Sequence, residues 1–137
     1  MCLEVFTGSD KYFEKWYNIL SEVMNILGEV KDKNVVLVDD IIATAGSLIE
    51  EVEALKNSCV KGIYATASHG VLSGPALERI ANCQALQEVV ITNSIPLKDG
   101  IQNPKIKQLS IAPLLAEAIV RTHNAESISS LFEEIRN

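Results

Sequence analysis

The chain has 137 residues, 47% of them hydrophobic and 22% charged, which is enough for one domain with its own core. A formal net charge of −6 excludes a general nucleic-acid-binding face. It does not exclude a phosphorylated ligand, because backbone amides and local dipoles outweigh a distant net charge.

No apolar run approaches the roughly 18 residues needed to cross a membrane, and no charged n-region precedes an apolar one. Cys2, Cys59 and Cys83 are odd in number and lack metal-ligand spacing. They read as free thiols in a reducing compartment, so a cytoplasmic protein without a membrane partner is expected.

Met1 to Ile19 holds the one Trp, two of the three Phe and two of the three Tyr, without a clear strand or helix. Leu20, Val23, Met24, Leu27 and Val30 fall at helical spacing, but Asn25, Ile26 and Gly28 weaken that pattern, and residues 21–28 stay unassigned. Lys31 to Asn34 is a polar turn. Val35 to Val38 is short, apolar and β-branched, and predicts a strand buried on both faces, as in the middle of a parallel sheet. Asp39 and Asp40 end it. The small-residue loop Ala43-Thr44-Ala45-Gly46-Ser47 follows, then a helix over 48–57 whose apolar residues are Leu48, Ile49, Val52 and Leu55. Glu50, Glu51 and Glu53 read as its solvated face, well placed for the helix dipole.

Lys61 to Ala67 predicts a second buried parallel strand, ending in Ser68-His69-Gly70. A lone histidine at a strand end more commonly satisfies a loop; the alternative is that His69 lines a ligand cleft. Gly74-Pro75 opens a helix over 76–81. A strand over 89–92 and a polar excursion over 98–107 come next, then a short strand over 108–111. Ala112-Pro113 opens a helix over 114–121 with Leu114, Leu115, Ala118 and Ile119 inward. A helical stripe runs through Ile128, Leu131, Phe132 and Ile135. This alternation gives an α/β fold, a parallel sheet flanked by helices.

The chemistry concentrates at 39–47. Ligands of open α/β sheets sit outside the carboxyl ends of the strands, where Asp39 and Asp40 stand. Gly46 and its small neighbours let backbone approach a ligand, and the free N–H groups of the following helix start favour a phosphate. Thr44 and Ser47 add hydroxyls, and Ser47 is a good N-cap. Carboxylates repel phosphate, so the acid pair serves another part of the ligand, and sugar hydroxyls are its natural partners, directly or through Mg²⁺. Acids beside a phosphate cradle describe a sugar-phosphate site. The plainer reading is a pair of strand-end acids before an ordinary turn.

The stretch VVLVDDIIATAGSL resembles the phosphoribosyl-pyrophosphate-binding signature of type I phosphoribosyltransferase folds. With ATASHGVLSGPALERI, VVITNSIPL, KIKQLSIAPLLAEAIVRTH and SISSLF in order, residues 21 to 132 resemble the C-terminal half of the ribose-phosphate pyrophosphokinase (PRPP synthetase) family. The resemblance implies a phosphoribosyltransferase-like domain over 21–137 behind a divergent segment over 1–20. It implies Asp39 and Asp40 at the ribose hydroxyls, and Thr44, Ala45, Gly46 and Ser47 around the 5-phosphate. It also implies Mg²⁺ brought with ATP by ligands outside this chain, and ribose 5-phosphate or PRPP as the bound molecule. Full-length synthetase subunits or further copies of the chain are the implied protein partners.

The family's activity transfers a pyrophosphoryl group from ATP to ribose 5-phosphate, leaving AMP. Three departures bear on it. The family's ATP-binding half does not stand in this sequence. Its Asp-Lys-Arg-Arg-Pro segment ahead of Ser21-Glu22-Val23-Met24 is replaced, with Tyr12 and Phe13 after Asp10-Lys11. Ala43 stands where the loop normally has a third acid. Sugar-phosphate binding with little turnover by this chain alone is the expectation, and a non-catalytic regulatory or assembly subunit is the alternative. A phosphoribosyltransferase would need a base-specific hood and a flexible loop, and neither is visible. A receiver domain would need an Asp at the strand end near Thr92, and dinucleotide and Walker loops have other spacings.

Overall fold

A computed structural model describes residues 30–98 and 101–133. The segments Met1 to Ile19 and Ser21 to Gly28 lie outside the described residues, as does Ile135. The elements run β1 (Asn34–Ile42), α1 (Gly46–Lys56), β2 (Gly62–Gly70), α2 (Ala76–Asn82), β3 (Leu86–Thr92), β4 (Ile106–Leu109), α3 (Ala112–His123) and α4 (Ser130–Glu133). The four strands form one parallel sheet in the order β1-β2-β3-β4. Parallel neighbours need a crossover, and α1 and α2 supply the first two.

The register explains which face is covered. Val35 pairs with Ile63 and Leu37 with Ala65, and Ala65 and Ala67 continue to Val89 and Ile91. All seven are buried, and Leu48, Val52 and Leu55 of α1 with Ala76 and Ile80 of α2 complete the same cluster. The alternate set is only half-buried: Val36, Val38, Tyr64, Thr66 and Val90. β1 is therefore not the doubly buried central strand its apolar run suggests. Among the described residues it is an edge strand with one covered face, and four β-branched or leucine residues in a row do not distinguish the two cases. It also runs on to Ile42, so Asp39 and Asp40 lie within its last turns of pleat rather than beyond its end.

Helix boundaries shift likewise. α1 begins at Gly46, with Ala45 as its N-cap at φ 56° and no side-chain cap. Ser47 is inside the first turn and does not cap it, because the left-handed Ala45 starts the helix two residues earlier. Glu51 falls on the inner face by helical spacing: Leu48, Glu51, Val52 and Leu55 form the buried stripe, and Glu51 is 8% exposed rather than part of the solvated face. Glu50 and Glu53 do face solvent.

β4 spans Ile106–Leu109 instead of 108–111, since Ile106 packs on the core beside Val89. The inward face expected for α3 is absent. Leu114, Leu115, Ile119 and Val120 are 47 to 68% exposed, none of its residues is buried, and it packs extensively on no other described element. Of the C-terminal stripe, the described residues include the helix α4, with Ile128 exposed ahead of it; the rest of the stripe lies outside the described residues.

Candidate functional site

The sheet brings the acid pair and the small-residue loop to one edge. Asp39 pairs with Ala67 and Ile41 with His69, so the ends of β1 and β2 stand side by side. Strand alternation sends the two acids to opposite faces. Asp39 has the parity of Val35 and Leu37 and is half-buried, whereas Asp40 is exposed. The Asp40 N–H donates to Asp39 Oδ1 at 2.8 Å, which holds the inner carboxylate at a fixed angle.

Beyond Ile42, three successive carbonyls are tied to one neighbouring segment. Leu72 N–H donates to the Ile42 oxygen at 3.1 Å, and Ser73 N–H to the Ala43 oxygen at 2.8 Å. The Arg79 guanidinium Nη1 donates to the Thr44 oxygen at 3.0 Å. A strand would alternate its carbonyls; this loop turns all three the same way. The first bond into α1 runs from Ile49 N–H to the Ala45 oxygen. The amides from Thr44 to Leu48 consequently have no backbone or side-chain acceptor among the described residues, as expected where a helix begins without a side-chain cap. The Thr44 and Ser47 side chains are exposed. A left-handed residue opening a right-handed helix is the backbone form that gathers N–H groups into an anion-holding concavity. Gly46 keeps the loop close to α2: a Cβ there would sit 3.2 Å from Arg79 Nη1.

Charge around the loop is uneven. Burial, then the nearby Asp39 charge, raise the Glu51 carboxyl to about 7. On the other side Arg79 forms no ion pair among the described residues. Two open grooves of about 440 and 650 Å³ flank α2, and neither includes Asp39, Asp40 or residues 43–47. Ala43, Thr44 and Ser47 are exposed, so the loop presents an open rim around the buried Ala45.

At the end of β2, His69 Nδ1 lies 2.8 Å from Ser94 Oγ. Ser94 Oγ donates its single proton to the Ser68 oxygen at 2.8 Å, so the histidine is the donor and its neutral form keeps Nε2 unprotonated. Thr92 Oγ1 donates to the same Ser68 oxygen, and Ser94 N–H donates to Thr92 Oγ1. His69 serves loop order through a side chain rather than through backbone.

Among the described residues no three His, Cys, Asp or Glu side chains gather as a metal-ligand set. With Asp39 and Asp40 on opposite faces, these residues alone do not assemble a Mg²⁺ site; that ion usually combines one or two carboxylates with substrate phosphates. Cys59 and Cys83 are both free thiols, the first exposed and the second buried. No helix among the described residues is long and apolar enough to cross a membrane.

Arg79, Ser73 and Ser94 act on this edge from 24 or more positions along the chain, and no local pattern announces them. Glu51 did leave a signal, the 48-51-52-55 spacing of a buried helical stripe.

Fold and edge together define an open parallel α/β domain with an amide-rich turn after its first described strand, the usual place for a ligand in this architecture. The family model described as the phosphoribosyl synthetase-associated domain matches residues 18–133, and the chain belongs to that family. It is 53% identical over 113 residues to the ribose-phosphate pyrophosphokinase of Caldanaerobacter subterraneus subsp. tengcongensis, covering 82% of this chain and 35% of the relative. It is 49% identical over 113 residues to that of Bacillus subtilis, with the same coverage. A crystal structure of phosphoribosylpyrophosphate synthetase from Mycobacterium smegmatis superposes with a TM-score of 0.68 at 39% identity, covering 72% of this chain and 33% of that one. The chain spans about a third of the length of the curated relatives it matches.

Proposed function

We propose that the chain is a sugar-phosphate-binding module of the ribose-phosphate pyrophosphokinase type, taking ribose 5-phosphate or PRPP. The amides of Thr44, Ala45, Gly46 and Ser47, with the Thr44 and Ser47 hydroxyls, receive the 5-phosphate. Asp39 and Asp40 accept hydrogen bonds from the ribose hydroxyls. The observation that carries this reading is the row of amides after β1 that have no acceptor among the described residues, in a chain whose relatives are named for that chemistry.

In the full-length reaction the sugar's anomeric hydroxyl attacks the β-phosphorus of ATP, the bond to the α-phosphate oxygen breaks, and AMP leaves. Mg²⁺ accompanying ATP would neutralise charge on the transferring group. The residues of this chain hold and orient the sugar phosphate; none of the described ones supplies the basic segment the family uses beside ATP. Turnover by this chain alone is therefore expected to be negligible, and its residence is taken to be the cytoplasm.

Isothermal titration with ribose 5-phosphate, alongside an AMP-release assay with ATP, tests both parts. Saturable binding without AMP release is expected; absence of binding refutes the first part, and robust AMP release the second. The four exposed apolar residues of α3 favour a second reading, an assembly subunit that joins further copies or full-length synthetase subunits. Co-purification with such subunits distinguishes it.

A further inference from the structure

The loop that the proposed function assigns to the phosphate adopts a conformation that its own sequence does not favour. Ala45 is non-glycine yet left-handed at φ 56°, with its methyl group buried. Left-handed backbone crowds Cβ against the following carbonyl, and alanine has no polar side chain to offset that by a local hydrogen bond. Something outside the loop must hold it.

A flip of the Thr44–Ala45 peptide would exchange the direction of the Thr44 carbonyl with that of the Ala45 N–H. A trans peptide points these two groups in opposite directions, and no cis bond occurs among the described residues. Arg79 Nη1 donates to the Thr44 oxygen at 3.0 Å, so the Ala45 N–H points away from α2. The two peptides before it are fixed in the same sense by Leu72 and Ser73. Those two bonds are backbone-made and survive side-chain replacement. The third depends on one side chain, which reaches across from α2 and forms no ion pair among the described residues. This solvent-exposed hydrogen bond comes from an ionised donor and works against the cost of the left-handed alanine.

We propose that Arg79 is a positioning residue for anion binding: by taking the Thr44 carbonyl it locks the Thr44–Ala45 peptide with its N–H turned to the phosphate side. With the latch removed, the peptide flips, Ala45 relaxes, and a carbonyl oxygen replaces an amide where the anion would sit. This inference rests on the sugar-phosphate reading for its ligand, but the latch itself is a property of the unliganded chain.

The test uses the full chain, ribose 5-phosphate as probe, and two readouts. One is affinity by titration calorimetry. The other is the direction of the Ala45 N–H vector in the unliganded chain, from residual dipolar couplings. Arg79→Met is expected to weaken binding by at least about tenfold and to reorient that vector. Adding Ala45→Gly, which takes positive φ without strain, recovers part of the lost affinity. Arg79→Lys keeps the charge with a less directional donor and falls between wild type and Arg79→Met.

An unchanged Ala45 vector in Arg79→Met overturns the proposal, as does undiminished affinity. Full recovery by Arg79→Lys, with an effect of Arg79→Met that vanishes in high salt, also overturns it by showing a through-space charge. Absence of ribose 5-phosphate binding by the wild type, together with a vector that turns on Arg79→Met, removes the sugar-phosphate reading and leaves the latch standing.

Discussion

Replacing Glu51 by glutamine isolates the cost of an acid under the loop. Glu51 is 8% exposed on the buried stripe of α1, beside the core residues Leu48, Val52 and Leu55. Burial, followed by the Asp39 charge, moves its carboxyl from 4.5 to about 7. The folded state therefore prefers the protonated acid. Its contribution to stability is fully present below about pH 4.5 and is lost as pH rises through about 7, because the folded chain binds more protons than the unfolded one across that window.

At about 1.4 kcal/mol per tenfold change in proton affinity, full expression of that shift would be about 3 kcal/mol. Among the described residues the carboxylate oxygens accept no hydrogen bond, and the residue keeps 8% of its surface open to water. Water at those oxygens reduces the effect to on the order of 1–2 kcal/mol. Glutamine keeps the shape and never ionises. Urea unfolding followed by circular dichroism from pH 4 to 8 should show Glu51→Gln equal to wild type at pH 4 and more stable by about 1–2 kcal/mol at pH 8. A difference that stays flat with pH, or a variant less stable than wild type at pH 8, would refute the reasoning.

Gly70→Ala places a methyl against Ile91 Cδ1 and 3.1 Å from its Cγ2, in the filled core between β2 and β3. A loss of about 1–3 kcal/mol in urea unfolding is expected, relieved in part by adding Ile91→Val. Lys105 Nζ closes the C-terminus of α2 through the Cys83 oxygen at 2.6 Å and the Ile80 oxygen at 3.4 Å. Lys105→Met should cost about 1.5–3 kcal/mol by the same measurement, and no change would show those bonds to be immaterial. Leu55→Ala, at a position 1% exposed, should cost about 2–5 kcal/mol. Asp40→Asn, at an exposed site, should leave the melting temperature unchanged and weaken ribose 5-phosphate binding about tenfold; unchanged binding removes Asp40 from the ribose contacts.

What the sequence discloses here is local. The β-branched run at Val35, the Ile63 and Val89 strands and the apolar spacing after Gly46 mark their elements because period and propensity act within a few residues. Solvent exposure is not local in that sense. Val36 and Val38 look as buried as Val35 and Leu37 until the strand order shows which face α1 and α2 cover. The stripe of α3 was legible as a stripe, but its partner was not, and Leu115 and Ile119 stay exposed.

The loop shows the same division. Its small residues and hydroxyls are visible in the chain, and its position at the sheet edge follows from strand polarity. Ser47 seemed the natural cap because its type suits the role, yet Ala45 takes that position. The reason lies in Ser73 and Arg79, which hold the Ala43 and Thr44 carbonyls from a distant segment. Backbone geometry set by remote donors leaves no trace in the residues it bends.

The strands pair in the order in which they are synthesised. Val35 faces Ile63, Ala65 faces Val89 and Val89 faces Ile106, so the stretch of chain closed by each pairing shortens from one strand to the next. Among the described strands, no later one has to wedge between two that have already met. During translation each new strand can zip onto a finished edge, and the loop after β1 can acquire its tethers as soon as the residues through Arg79 have left the ribosome.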